Sequence, residues 1–276
     1  MLPFWLSIGS LSLVQGLLVA APRPPVPIPL LDRLRTRWWA LLPPLSIVVV
    51  IGAIALDSAS ADVLTYLALI AVPPLAALAA GALARGGRLP LALAVVPLFA
   101  LAWAARGELG GEAAALALSG LACVSLGWLL ASIVPAAWLK VGIYAMAAID
   151  TWLVASNLLQ GPNAVLNTAS PGSLPRLQLA HFGSAVMGFG DLFLAATLGA
   201  VLAHDRSMQR TGAMLTAALA VAFDFLFFAV DQLPATVPVA LALAILEITR
   251  KSSSELRGHQ RNAGGDENRD RAASRT

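Results

Sequence analysis

Charged side chains are scarce in this sequence. Asp, Glu, Lys and Arg together make up 12% of its 276 residues, where a soluble domain carries about 25%. Cysteine is almost missing: the lone Cys123 lies in an apolar run, which excludes an internal disulfide framework. Histidine is rare too, and His181 and His204 stand at opposite ends of one apolar run, too far apart to share a metal. What fills the chain instead is apolar: hydrophobic residues reach 58% and the mean hydropathy is +0.79. No water-soluble fold hides that much apolar surface, so the solvent is a bilayer. The net charge of +3 does not point to nucleic acid, because the basic residues bunch toward the C-terminus, from Arg250 to Arg275.

A spanning helix needs about 20 mostly apolar residues. Such runs occur at 3–21, 38–56, 63–84, 89–105, 113–134, 137–159, 179–203, 211–230 and 234–249. Their length predicts helices, which satisfy their own backbone in lipid. The expected fold class is therefore an all-α polytopic membrane protein with nine transmembrane helices. Basic residues stay on the cytoplasmic side during insertion. With nine spans, every Lys and Arg except Arg106 and Arg176 falls on one side. That sorting predicts an N-terminus outside and a C-terminus in the cytoplasm. It also puts the Gly/Pro/Asn/Ser-rich connection 161–175 outside, as a flexible loop. Trp38 and Trp39 beside Arg33, Arg35 and Arg37 read as an interfacial anchor. Three regions are expected: a five-helix membrane region at 1–136, a four-helix membrane region at 137–250, and a disordered cytoplasmic tail at 251–276.

Most acidic residues sit in connections or in the tail. Asp150, Asp191 and Asp224 do not; they lie inside the sixth, seventh and eighth runs. A charged residue at a helix centre costs about 2.5–3.5 kcal/mol on insertion scales, and such residues are usually functional. Counting along ideal helices sets Asp150 roughly 20 Å, and Asp191 roughly 18 Å, from the starts of their runs. The two helices run in opposite directions, so both carboxylates are expected near mid-membrane. Ser184, Gly188, Asp191, Ala195 and Gly199 recur at helical spacing and predict a small-residue face suited to close approach. Asn157 is expected to extend the polar face of Asp150. Two carboxylates within reach hold one proton between them. One can then take a proton from water while the other polarises a carbonyl and protonates the leaving amine. A proton-coupled transporter would also use such a pair.

Gly188-Phe189-Gly190-Asp191 is a G-x-G-D sequence, followed by Leu192-Phe193-Leu194. Further on, Pro234-Ala235-Thr236 opens the ninth run. Together with nine spans and acids on helices six and seven, these features resemble the presenilin and signal peptide peptidase family of intramembrane aspartyl proteases. The expected orientation is that of the signal-peptide-peptidase branch. Two positions depart from the family pattern: Ile149 stands where a tyrosine usually precedes the first aspartate, and Thr236 replaces a leucine.

The resemblance implies a presenilin-like fold and an aspartic endopeptidase that cleaves transmembrane or signal-peptide helices in a bacterial plasma membrane. It implies catalytic roles for Asp150 and Asp191. Gly188, Phe189, Gly190, Pro234, Ala235 and Thr236 would contact substrate. Asp224 lies outside the family motifs; it could tune the pair, bond a neighbouring backbone or face a water-filled cavity. It implies no metal or organic cofactor and no nucleic-acid partner. Two alternatives stay open: a prepilin-peptidase-like aspartyl protease, and a non-proteolytic proton-coupled transporter or scaffold.

Overall fold

Backbone polar groups in uniformly apolar runs have only each other as partners, and here they close into helices along most of the chain. The computed structural model describes residues 3–26, 28–57, 59–169, 174–230 and 232–251. Helix α1 is Phe4–Ala20. Helix α2, Leu42–Leu56, is entered through a 3-10 turn at Arg37–Leu41 and carries Pro43 and Pro44 in its first turn, where their missing N–H groups cost nothing. Helix α3, Ala59–Leu78, contains Pro73 and Pro74 and runs into a π-helical segment at Ala79–Leu83. Helix α4, Val95–Ala104, follows a 3-10 segment at Leu89–Ala94. Helices α5 (Leu109–Ile133), α6 (Ala136–Ala155) and the short α7 (Gln160–Thr168) come next. Strands β1 (Leu179–Phe182) and β2 (Ala185–Gly188) lead directly into α8, Phe189–Leu202. Helix α9, Arg206–Asp224, ends in a 3-10 turn at Phe225–Phe228, and α10 spans 237–251.

Among the described residues, five helical stretches are long and apolar enough to cross a membrane: Arg37–Leu56, Ala59–Leu83, Leu109–Ile133, Ala136–Ala155 and Arg206–Phe228. Phe4–Ala20, Leu89–Ala104 and Phe189–Leu202 are shorter apolar helices.

Helix α8 is the axis of the core. Gly127 of α5 lies against its backbone, since a Cβ there would stand 2.8 Å from Thr197 N. Gly199 packs against the Val19 backbone of α1 in the same way. On its other side α1 meets α9, where a Cβ on Gly16 would stand 2.7 Å from that of Ala217. The largest buried cluster draws on α1, α5, α6, α8, α9 and α10. In it the first helix packs with the last ones. Phe4, Trp5, Phe225, Phe227 and Phe228 form an aromatic group at one end of α1 and α9, with Trp5 and Phe228 centroids 4.6 Å apart.

At the other end a buried amide ties three elements together. Gln209 Nε2 faces the carbonyls of Val19, Pro22 and Gly199 at 3.0, 3.0 and 3.1 Å. Arg85 donates to Gln209 Oε1 at 2.8 Å and to Ala203 O at 2.9 Å, satisfying a carbonyl at the α8 C-terminus. Burial, then the nearby Arg206, Arg210 and Arg23, lowers the Arg85 pKa from its ordinary value. Gln209→Leu would leave these carbonyls without a donor. Each buried orphan costs about 1–3 kcal/mol, so a clear fall in the midpoint of unfolding in detergent is expected. An unchanged midpoint would show that the amide is not a structural tie.

Three local expectations are corrected. The run 179–203 is not one helix. Its first ten residues form an antiparallel hairpin pairing Leu179 with Gly188 and Phe182 with Ala185. The turn is Gly183-Ser184, with Gly183 at φ +64 and Ser184 without a positive φ, the type II′ pattern. Ser184 therefore lies in a turn, off the small-residue face, and an otherwise all-α fold carries one two-stranded hairpin. The run 137–159 ends as a helix at Ala155, because Asn157 adopts φ +55. Asn157 N–H reaches Val154 O at 3.0 Å and Leu158 N–H reaches Leu153 O at 3.1 Å, which is a Schellman stop. Asn157 terminates the helix and does not extend the face of Asp150. Finally, the connection 161–175 holds α7 and is not loop throughout; its positions 170–173, and the tail 252–276, lie outside the described residues.

Candidate active site

Asp150 stands one turn before the end of α6 and is 5% exposed. Its face of α6 also carries Ile143, Met146 and Ala147, all buried. Buried carboxylates need a donor, and this one has it. Thr236 Oγ1, itself fully buried, donates to Asp150 Oδ2 at 2.6 Å. Thr236 occupies the position just before α10, where a threonine hydroxyl normally serves the helix start. Here its proton goes to Asp150. The same two helices meet again nearer their other ends: Glu247 takes Lys140 Nζ at 2.8 Å and the Tyr144 hydroxyl at 3.1 Å. Tyr144 is thus committed to Glu247.

Asp191 lies in the first turn of α8. The depth counted along a helix starting at 179 therefore does not apply, since the hairpin supplies those ten residues. Its Oδ2 accepts the Gly188 N–H at 3.0 Å, satisfying a free donor at the helix start. A side chain at 188 would intrude: a Cβ there would stand 2.9 Å from Asp191 Oδ2. Gly190 faces α6, with its notional Cβ 3.0 Å from Met146 Cε. Met146 lies one turn from Asp150, so this contact sets the approach of the two acids. Asp150 and Asp191 thus stand on neighbouring helices beside the Gly190–Met146 contact. Residues 188–191 are all partly exposed, while Leu192 and the stretch 194–200 are buried. The G-x-G-D segment is the accessible part of the α8 start.

The hairpin that aims Asp191 is held from both sides. Glu112, in the first turn of α5, accepts the Gly183 N–H at 2.7 Å and lies 3.0 Å from His181 Nδ1. Ser7 Oγ of α1 accepts the Ser184 N–H at 3.2 Å. Ser119 of α5 reaches Leu177 O at 3.0 Å just before β1.

No protein-family model, curated protein or solved structure matches this chain. The site is accordingly defined by its own geometry. Asp150, Thr236, Gly188, Gly190 and Asp191 come together where α6, α8 and the turn before α10 meet. Phe189 packs partly buried against the core, and its carbonyl faces Cys123 Sγ at 3.8 Å. Pro234 is buried in the turn before α10, where its carbonyl accepts the Val237 N–H at 3.1 Å. The Ala235 carbonyl is taken by Gln15 Nε2 at 2.9 Å. Asp224 points elsewhere: Ser12 Oγ of α1 donates to its Oδ2 at 2.7 Å.

Sequence reasoning passed over four residues that shape this region: Ser7, Ser12, Gln15 and Glu112. Ser7, Ser12 and Gln15 are at most 1% exposed within an otherwise apolar helix. The signal readable in the sequence is their polarity in an otherwise apolar helix, because a buried hydroxyl or amide in lipid is costly unless it has a partner. The Gly-Ser pair between the two mostly apolar four-residue segments 179–182 and 185–188 was the signal for the hairpin.

Proposed function

We propose that this chain is an intramembrane aspartyl protease of the G-x-G-D type, crossing the membrane nine times. The observation that carries the reading is that Asp150 and Asp191, each already hydrogen-bonded, stand on helices that meet at Gly190 and Met146, at a partly exposed helix start. In this mechanism the pair holds one proton. The ionised carboxylate draws a proton from water as the oxygen attacks the amide carbon. The protonated one hydrogen-bonds the carbonyl oxygen, and a proton passes to the leaving nitrogen as the C–N bond breaks. Thr236 Oγ1 fixes the Asp150 rotamer, and Gly188 N–H fixes that of Asp191. Glycine at 188 and 190 keeps side chains out of the space between them.

A helix buries its own amides, so the substrate must unwind to expose one. The hairpin offers a place for extended backbone. Two strands have two edges, and β2 runs directly into Gly188. Edge N–H and C=O groups accept a further strand readily. The substrate class is a transmembrane or signal-peptide helix. The test is cleavage of a labelled signal-peptide helix by the purified full chain in nanodiscs, with each aspartate replaced in turn; persistence of cleavage in both variants would end the reading.

The orientation is N-terminus outside and C-terminus in the cytoplasm of a bacterial plasma membrane. Clustering of Arg23, Arg85, Arg206 and Arg210 around one end of α8 supports it, with Glu112 and His181 at the opposite end. Asn167→Cys in a Cys123-free background should react with an impermeant maleimide only from outside intact cells. Labelling only from the cytoplasm would invert the topology and favour the prepilin-peptidase-like alternative.

A further inference from the structure

Helix α1 reaches the site from a distance in sequence. Gln15 is 1% exposed, and its Nε2 donates to the Ala235 carbonyl at 2.9 Å. The next residue, Thr236, donates its hydroxyl to Asp150 at 2.6 Å. One amide thus stands a single peptide away from the group that holds a carboxylate of the pair. The other polar atom of that side chain, Gln15 Oε1, is buried with no hydrogen-bond partner. Exchanging the amide's O and N would set two acceptors face to face at Ala235, so the orientation follows from the contact.

Packing does not account for a glutamine here. Gly16 already seats α1 against Ala213 and Ala217 of α9, and a leucine or methionine would fill the same volume without burying an amide. The Gln15 Nε2 bond goes instead to the turn before α10. That turn has an intrinsic reason to need holding: Pro234 contributes no N–H, and Thr236 spends its hydroxyl proton on Asp150.

We propose that Gln15 is a positioning residue of the Asp150–Asp191 site, holding the Ala235 carbonyl so that the Thr236 hydroxyl is presented to Asp150. The kinetic arm of this proposal rests on the protease reading; the spectroscopic arm does not. Gln15→Met keeps length and volume and removes only the donor. In the full chain in nanodiscs it should lower kcat about tenfold, a fraction of the roughly hundredfold cost of a 1 Å misplacement, with KM unchanged. Thr236→Val should do the same. The double variant should be no slower than Thr236→Val alone, because both act on one contact.

The second arm reads Asp150 itself. With carboxyl-labelled aspartate, the Asp150 infrared and ¹³C signals are identified by difference from Asp150→Asn. Gln15→Met should move them in the direction that Thr236→Val does. Gly16→Ala, which crowds α9 but does not touch Ala235, should leave them in place. An Asp150 signal unmoved by Gln15→Met overturns the proposal, whatever the activity. So does an equal shift in Gly16→Ala, which would mean that any loosening of α1 suffices. Multiplying effects of Gln15→Met and Thr236→Val on kcat would likewise overturn it. If the wild-type chain cleaves nothing, the protease reading falls, and the carboxyl signals still decide the role of Gln15.

Discussion

Replacing either Asp150 or Asp191 by asparagine is expected to lower cleavage of a helical membrane substrate by roughly a thousandfold or more, within the range of about 10²–10⁴ for a positioned acid or base. The fold should survive both changes. In Asp150→Asn the amide oxygen can still accept the Thr236 hydroxyl, and in Asp191→Asn it can still accept the Gly188 N–H, so each side chain keeps its bond. Neither amide can take a proton from water or return one to a leaving nitrogen. An amide carries no charge, so insertion should be no costlier than with the carboxylate. Initial rates in nanodiscs, read beside the unfolding midpoint, test this. Wild-type cleavage by Asp150→Asn would remove α6 from the mechanism. Ile149, where the resemblance calls for a tyrosine, would then mark a protein that only resembles such a protease.

A second large effect is expected from a residue that carries no functional group. Gly190→Leu should cost on the order of a hundredfold in kcat, the scale of a 1 Å misplacement. The space for a Cβ at 190 already ends 3.0 Å away at Met146 Cε. That atom is the far end of a flexible chain, so Gly190→Ala is absorbed by a small rotation and should lose only a few-fold. Leucine adds three carbons along the same line. They meet α6 one turn from Asp150 and push the two helices apart where the carboxylates approach. Gly188→Ala acts differently, by driving the Asp191 carboxylate off the Gly188 N–H. Full activity in Gly190→Leu would show that the α6–α8 spacing here does not govern the reaction.

Bilayer residence, the places where apolar runs begin and end, and the two acids of interest were all legible in the sequence. Composition decides the first, because hydrocarbon is the only solvent for a chain so poor in charge. Apolar length decides the second, to within a few residues for most of the helices. The cost of a carboxylate in lipid singles out Asp150, Asp191 and Asp224. Composition, run length and insertion cost are local or one-dimensional properties of the chain. Uniform apolarity conceals a change of secondary structure inside a run, so the hairpin at Leu179–Gly188 was read as helix, and with it the depth of Asp191. His181 and the Gly183-Ser184 turn interrupt the pattern, the turn through the backbone freedom of its glycine.

What the tertiary structure decided is which polar groups meet. Asp224 and the site pair are equally acidic in the sequence, yet Asp224 is bound by Ser12 while Asp150 is bound by Thr236. Thr236 reads as a departure from a proline motif until its hydroxyl is seen on a carboxylate. Ser7, Ser12 and Gln15 are spaced along one helix whose hydrophobic residues show no preferred side, and their partners lie near or beyond residue 184. No local rule links a glutamine at position 15 to a carbonyl at position 235. In lipid every buried donor must find an acceptor, and packing of α1 among α8, α9 and α10 determines which one it finds.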